Sequence, residues 1–133
     1  MIPGKSKDEH LKGKILVVDD DVMVRNFLER FLSKKSYQVD TAENGNQAIE
    51  IIKKERPHLV LLDIKMPAMN GIDVLKEIKK IDPSVGVIMI TALQEEEIAQ
   101  EAMRLGADDY ICKPFDIDYL ENSVLAKIVL MTG

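Results

Sequence analysis

The sequence predicts an α/β fold, a doubly wound parallel sheet of five strands flanked by five helices. Short apolar runs rich in Val, Ile and Leu recur along the chain, which is typical of strands buried on both faces of a sheet. Each run is followed by a longer segment with apolar residues at helical spacing. Strands that alternate with helices in this way form parallel sheets with helices packed on both sides.

The predicted strands are short, and several of them end in a polar residue. Their apolar content, as in "KILVVD" and "HLVLLD", is high enough for burial on both faces. In chain order, the predicted strands are residues 14–19, 37–42, 58–63, 85–91 and 109–113.

The predicted helices are delimited by capping and breaking residues. Asp20 or Asp21 can cap the first helix, and Pro57 stops the second. Gly106 lies past the end of the fourth helix, and Pro114 lies near the start of the last one. In chain order, the predicted helical segments, with their flanking start and stop residues, are 21–36, 43–56, 72–81, 95–107 and 114–132.

Composition limits the classes of function. The chain has 133 residues, 46% of them hydrophobic and 31% charged, which favours one globular domain at 14–133 after a flexible polar tail at 1–13. The net charge of −5 argues against a nucleic-acid surface, and no stretch is apolar enough for a membrane helix. Cys112 is the only cysteine, which fits a reducing compartment and predicts a cytoplasmic location.

Polar residues with related chemistry stand at the ends of four predicted strands. In strand order they are Asp19 and Asp20, then Asp63, Thr91 and Lys113. Ligands bind at the carboxyl ends of the strands in open parallel sheets, where the strand order reverses. In the flavodoxin-like order 2-1-3-4-5, the first and third strands are neighbours at that point. We therefore expect the three carboxylates, the hydroxyl and the ammonium to face one crevice.

This set of side chains favours a hard cation and a phosphoryl group. Several carboxylates with only oxygen ligands select Mg²⁺ or Mn²⁺. Protonated Lys113 is not a metal ligand, but it and the metal can share a dianionic guest, of which phosphoryl is the obvious example. One of the carboxylates could then be a nucleophile that forms an acyl phosphate. The cation and Lys113 would also offset the repulsion between Asp19 and Asp20, while Asp21 points toward the helix N-terminus.

The chain resembles the receiver domain of two-component response regulators over residues 14–127. The stretches that carry the resemblance are "ILVVDD", "LLDIKMPAMNG", "ITA" and "GADDYICKPF", in that order. Within the family, "DIKMP" and "KPFDID" are most similar to receivers of the nitrogen-regulation and sporulation-phosphorelay type. The resemblance implies that residues 14–133 form a response regulator receiver domain.

The resemblance implies a phospho-acceptor and a set of metal ligands. Asp63 would accept a phosphoryl group from a histidine kinase. Asp20 and Asp63 would bind Mg²⁺ directly, together with the backbone carbonyl of Lys65. Asp19 would act mainly through water.

The resemblance also implies a switch and partners. Thr91 and Lys113 would contact the phosphoryl oxygens, and Tyr110 would be the aromatic whose rotamer reports the active state. A sensor histidine kinase or a phosphotransfer protein would be the donor, and an output domain or protein would respond, with a phosphorylation-dependent dimer as one form of response. The chain would catalyse only its own phosphorylation and dephosphorylation, so we do not expect an enzyme in the usual sense.

The first predicted helix carries more apolar residues than one core face requires. We expect Met23 and Val24, with Pro114 and Phe115 across the crevice, to form an exposed apolar patch for a partner helix. The alternative is that all of these residues belong to the core.

Two other classes of function are weighed against this one. "VVDDDV" also contains the Asp-x-Asp that follows a strand in haloacid-dehalogenase-type phosphatases, whose first Asp is the nucleophile, but Asp63 would then have no role. A nucleotide-binding module would need a glycine-rich phosphate loop after the first strand, and the sequence has none there.

Overall fold

The computed structural model describes residues 11–132 as strands and helices that alternate along the chain. The strands are β1 (Gly13–Val18), β2 (Tyr37–Ala42), β3 (Leu59–Leu62), β4 (Gly86–Thr91) and β5 (Asp109–Cys112). The helices are α1 (Val22–Lys34), α2 (Gly45–Glu55), α3 (Gly71–Ile81), α4 (Glu96–Arg104) and α5 (Ile117–Thr132). The tail predicted at 1–13 lies outside the described residues, except for its last three.

The five strands form one parallel sheet in the order β2-β1-β3-β4-β5, which confirms the predicted topology. The register aligns Val18, the last residue of β1, with Ala42 of β2 and with Leu62 of β3. The residues that follow these three strands therefore emerge at the same edge of the sheet. The strand order reverses between β1 and β3, as expected for a doubly wound sheet.

Each face of the sheet has its own hydrophobic core, because successive strand side chains point to opposite faces. In β1, Leu16 and Val18 pack on the face covered by α2, α3 and α4, whereas Ile15 and Val17 pack on the face covered by α1 and α5. All four of these side chains are at most 1% exposed. Burial on both faces explains why β1 is apolar at every position from Ile15 to Val18.

The helix boundaries follow the local capping chemistry. Asp21 caps α1 by accepting a hydrogen bond from the Met23 amide at 2.9 Å, in line with its predicted role. The prediction for α5 started three residues too early, because Asp116 acts as the cap and accepts from the Asp118 amide at 2.8 Å. Pro114 therefore lies in the connection before α5 and not in its first turn. Among residues 11–132, no helix is long and apolar enough to cross a membrane.

Candidate functional site

Three carboxylates converge where β1 and β3 end. Asp19 and Asp63 follow these strands directly and are buried, with 3% and 5% of their surface exposed. Asp20 is exposed, and one carboxylate oxygen from each of the three lies within 4.8 Å of the other two. The sequence predicted this meeting, since neighbouring parallel strands deliver their following residues to one point.

Lys113 joins the cluster from the end of β5. Its Nζ lies 2.7 Å from Oδ2 of Asp19 and 3.4 Å from Oδ2 of Asp63, so one ammonium pairs with two acids. Its backbone amide donates to the carbonyl of Thr91 at 2.8 Å, which ties the start of the following loop to β4. The ammonium is therefore held between the two buried carboxylates.

Burial and pairing act against each other on the ionisable groups of the site. Burial raises the pKa of Asp19, although the hydrogen bonds from Lys113 and from the Asp21 amide oppose the increase. Burial alone would lower the pKa of Lys113, but the hydrogen bond and charge of Asp19, together with the charge of Asp63, raise it. Lys113 is thus kept as an ammonium, but its single positive charge does not balance the three carboxylates of the cluster.

The β1–α1 turn is fixed from the helix side by a residue that the sequence analysis did not single out. Arg25 donates from Nη1 to the backbone carbonyl of Asp19 at 2.7 Å, and its side chain is only 14% exposed. A cation near a helix N-terminus is opposed by the helix dipole. Its position in the second turn of α1 was therefore the one available signal that Arg25 has a specific contact.

Thr91 and Tyr110 are connected through the loop that follows β4. Thr91 is fully buried, and its Oγ1 accepts a hydrogen bond from the Leu93 amide at 3.3 Å. The hydroxyl of Tyr110 donates to the Leu93 carbonyl at 2.8 Å, and the ring packs against the core that α2, α3 and α4 cover. A movement of Thr91 would therefore be transmitted to Tyr110 through Leu93.

The loop between β3 and α3 passes very close to Asp63. The amide of Lys65 lies 3.4 Å from Oδ1 of Asp63, and the Lys65 side chain is exposed. The amide of Gly71 donates to the Ile64 carbonyl at 2.8 Å. A Cβ atom at Gly71 would lie 2.1 Å from the backbone oxygen of Asp63, so no residue with a side chain fits without a backbone shift. Gly71 therefore permits the close return of the chain that shapes the site.

The donor set fits a hard divalent cation. Asp19, Asp20 and Asp63 supply only oxygen ligands, and Asp20 has no hydrogen-bond partner for its carboxylate among residues 11–132. The structure thus brings four of the predicted site residues into one cluster, with Lys113 as the fourth. Thr91 and Tyr110 adjoin it through β4 and β5, and a ligand role for the Lys65 carbonyl remains a prediction.

The exposed face of α1 carries apolar side chains that were not part of the predicted patch. Met23 is 77% exposed, and Val22 and Phe27 are 53% and 51% exposed. Val24 and Phe115, which were expected in the patch, are half-buried and pack against the core under α1 and α5. Of the predicted patch, Met23 and Pro114 are therefore exposed, and most of the exposed apolar surface lies on α1, directly after the acidic turn.

Comparison with known proteins agrees with this geometry. The family model for the response regulator receiver domain matches residues 15–125. The chain is 48% identical over 123 residues to sporulation initiation phosphotransferase F of Bacillus subtilis (strain 168), which covers 92% of this chain and 99% of that protein. It is 43% identical over 103 residues to chemotaxis protein CheY of Thermotoga maritima, covering 77% of this chain and 86% of that protein.

Other relatives are longer than this chain. The probable transcriptional regulator ycf27 of Porphyridium aerugineum is 43% identical over 120 residues, which is 88% of this chain but 50% of that protein. Among solved structures, the CheX–CheY–BeF3–Mg²⁺ complex of Borrelia burgdorferi matches with a TM-score of 0.84 and 31% identity, covering 93% of this chain and 95% of that one. A two-component response regulator of Clostridium difficile matches with a TM-score of 0.86 and 28% identity, over 90% of this chain and 98% of that one.

Proposed function

The chain belongs to the response regulator receiver family and is a phospho-accepting signalling domain, and we propose that its acceptor is Asp63. The observation that carries the proposal is the position of this carboxylate, 5% exposed at the end of β3 and 3.4 Å from the Lys113 ammonium. Labelling of the purified chain by a small-molecule phosphodonor with Mg²⁺ tests it.

The residues of the site have separate tasks in this transfer. A carboxylate oxygen of Asp63 attacks phosphorus, and the donor group leaves from the opposite side. The Lys113 ammonium, held at the site by Asp19, and the Thr91 hydroxyl contact the phosphoryl oxygens. Asp19, Asp20 and Asp63 would hold Mg²⁺ with the Lys65 carbonyl, and Mg²⁺, or Mn²⁺ in its place, supplies further positive charge to the phosphoryl oxygens.

We expect Mg²⁺ to raise the melting temperature of the chain. A ligand that binds only the folded state stabilises it by about 1.4 kcal/mol when the free ligand concentration is ten times Kd. For a domain of this size, that stabilisation raises the melting temperature by roughly 5 °C. Asp20→Asn should remove most of the shift, because Asp20 is the accessible carboxylate of the cluster. A melting scan in metal-free and Mg²⁺-containing buffer measures both effects.

Asp21→Asn is the matched control for the metal experiment. Asp21 adjoins the cluster in sequence, but its carboxylate caps α1, a task that asparagine also performs. The control should keep the full Mg²⁺ shift. An equal loss of the shift in both variants, or no shift in the wild-type chain, would contradict the proposed metal site.

We propose that the phosphoryl donor is a sensor histidine kinase or a phosphotransfer protein that docks on α1. The exposed apolar side chains of Val22, Met23 and Phe27 start next to the acidic turn, so a helix packed on them would present its own phosphorylated side chain to Asp63. The 48% identity to a sporulation phosphotransferase supports a donor of this class. These partners and the single thiol of Cys112 make the cytoplasm the proposed location.

Met23→Glu should slow transfer from the kinase at least tenfold and leave labelling by a small phosphodonor unchanged. The charge would have to be buried against the apolar face of the partner helix, whereas a small donor reaches Asp63 without touching α1. Parallel transfer assays with the two donors measure the difference. The control is the same substitution on another helix, Met103→Glu. Met103 lies on α4 and is 46% exposed, and its substitution should affect neither assay. Equal losses with both donors would refute the docking role of Met23.

We propose that phosphorylation changes the surface formed by α4, β5 and α5, and that this surface transmits the signal to a partner. Tyr110 lies on β5. Its hydroxyl donates a hydrogen bond to the Leu93 carbonyl, which couples the side chain to the loop between β4 and α4. Met103, Tyr119 and Leu130 expose apolar surface on α4 and α5. An output domain or a second copy of the chain would bind there. The chain spans nearly all of the phosphotransferase relative but only half of the ycf27 relative, which supports both kinds of output.

A further inference from the structure

We infer that Arg25 is a positioning residue of the metal site, which strengthens Mg²⁺ binding by holding the turn that carries Asp20. The inference rests on the proposed function, because it assigns a role relative to the metal ligands named there. Arg25 lies on α1 and does not belong to the carboxylate cluster itself. Its effect would therefore pass through the backbone.

The first observation is the contact between Arg25 and the backbone of the acidic turn. Nη1 of Arg25 lies 2.7 Å from the carbonyl oxygen of Asp19, a short distance for a charge-assisted hydrogen bond. The guanidinium also reaches the loop after β2, where Nη2 lies 3.8 Å from Oε2 of Glu43. With 14% of its side chain exposed, Arg25 is a largely buried bridge between α1, the acidic turn and the loop before α2.

The second observation is that Asp19 is held at every polar group, whereas Asp20 is not. The amide of Asp19 donates to the Ala42 carbonyl at 3.1 Å. Its two carboxylate oxygens accept from the Asp21 amide at 2.9 Å and from Nζ of Lys113 at 2.7 Å. Its carbonyl oxygen, which belongs to the peptide unit shared with Asp20, is held by Arg25. Arg25 is therefore the contact that orients the peptide plane from which the Asp20 carboxylate extends.

Charge and position predict opposite effects of removing Arg25. As a nearby cation, Arg25 repels Mg²⁺, so loss of its charge alone would make Mg²⁺ binding tighter. As a positioning residue, it holds Asp20 ready beside Asp19 and Asp63, so its loss would make binding weaker. Mg²⁺ demands near-ideal ligand geometry, which makes the positioning effect the larger one. The sign of the change in Kd thus separates the two roles.

The test compares Mg²⁺ binding by the full chain and its variants using isothermal titration calorimetry, with melting temperatures measured in metal-free buffer. Arg25→Met keeps the length and apolar stem of the side chain and removes every donor. We expect its Kd for Mg²⁺ to rise five- to tenfold. Phosphodonor labelling should be slow at low Mg²⁺ and return to the wild-type rate at saturating Mg²⁺. Arg30→Met, an exposed arginine on the same helix, is the matched control and should keep the wild-type Kd.

A second variant covers the case in which Arg25→Met does not fold. Arg25→Lys keeps the charge, but one ammonium does not replace a planar fork that reaches both Asp19 and Glu43. Its Kd should rise two- to threefold. A Kd at or below the wild-type value in the folded Arg25 variants would overturn the inference, even if their melting temperatures fall. Absence of Mg²⁺ binding by the wild-type chain would instead overturn the proposed metal site, and the inference with it.

Discussion

Asp63→Asn is expected to abolish phosphoryl labelling of the chain by a small phosphodonor in Mg²⁺. The amide nitrogen and oxygen of asparagine are much weaker nucleophiles than the carboxylate that they would replace. We expect at least a thousandfold loss, which corresponds to about 4 kcal/mol in the barrier. Incorporation of radiolabelled phosphoryl over time measures it.

Asp19→Asn is the control for the acceptor, because it exchanges the other buried acid of the same cluster. This variant should label more slowly than the wild-type chain, but it should still label, since Asp63 is retained. The reverse pattern, with labelling lost in Asp19→Asn and kept in Asp63→Asn, would place the nucleophile where a haloacid-dehalogenase-type phosphatase has it.

The same labelled wild-type protein tests the switch, because amide chemical shifts on α4, β5 and α5 should change on phosphorylation.

Gly71→Ala should lower the free energy of unfolding by about 3 kcal/mol, at the upper end of the usual cost of overpacking. The added Cβ would lie 2.1 Å from the Asp63 carbonyl oxygen and 2.7 Å from Cα of Ile64. Both of these are backbone atoms, so relief requires the loop after β3 to move away from the site. Urea denaturation, followed by circular dichroism, measures the loss of stability.

Gly13→Ala is the matched control for the glycine experiment. A Cβ at Gly13 would meet the side-chain end of Ile128 at 3.0 Å, which a small rotation can relieve. We expect a cost below about 1 kcal/mol there. Similar losses in the two variants would show that Gly71 has no special steric role. Normal phosphodonor labelling by Gly71→Ala would separately contradict the idea that the return of the chain shapes the site.

The sheet order and the acidic cluster could be predicted because each depends on a simple rule. Apolar runs indicate buried strands, and parallel strands deliver the residues that follow them to one edge. Asp19 and Asp63 therefore had to meet once the runs before them were recognised as neighbours. Lys113 was predictable in the same way, because it follows the last strand directly.

The features that could not be predicted depend on the path of the chain in three dimensions. The position of Arg25 near the N-terminus of α1 indicates some specific contact, but nothing in the sequence indicates that its guanidinium turns back to a carbonyl six positions earlier. The start of α5 was missed because Pro114 and Asp116 are both good start signals, and only the folded chain selects between them. The excess of apolar residues on α1 was predicted, but which of them face solvent was not, and Val24 is half-buried whereas Phe27 is 51% exposed.

The Lys113 contacts also determine how much the electrical state of the site changes during signalling. Counted by formal charge, three carboxylates beside one ammonium give the cluster a net charge of −2. A bound divalent cation would bring that total to zero, and conversion of the Asp63 carboxylate to an acyl phosphate dianion would then add one negative charge. Under the proposed function, phosphorylation would thus add a single elementary charge to a neutral, partly buried cluster. A charge in such a setting is weakly screened, so it would act strongly on the Lys113 ammonium, which lies 3.4 Å from the Asp63 carboxylate.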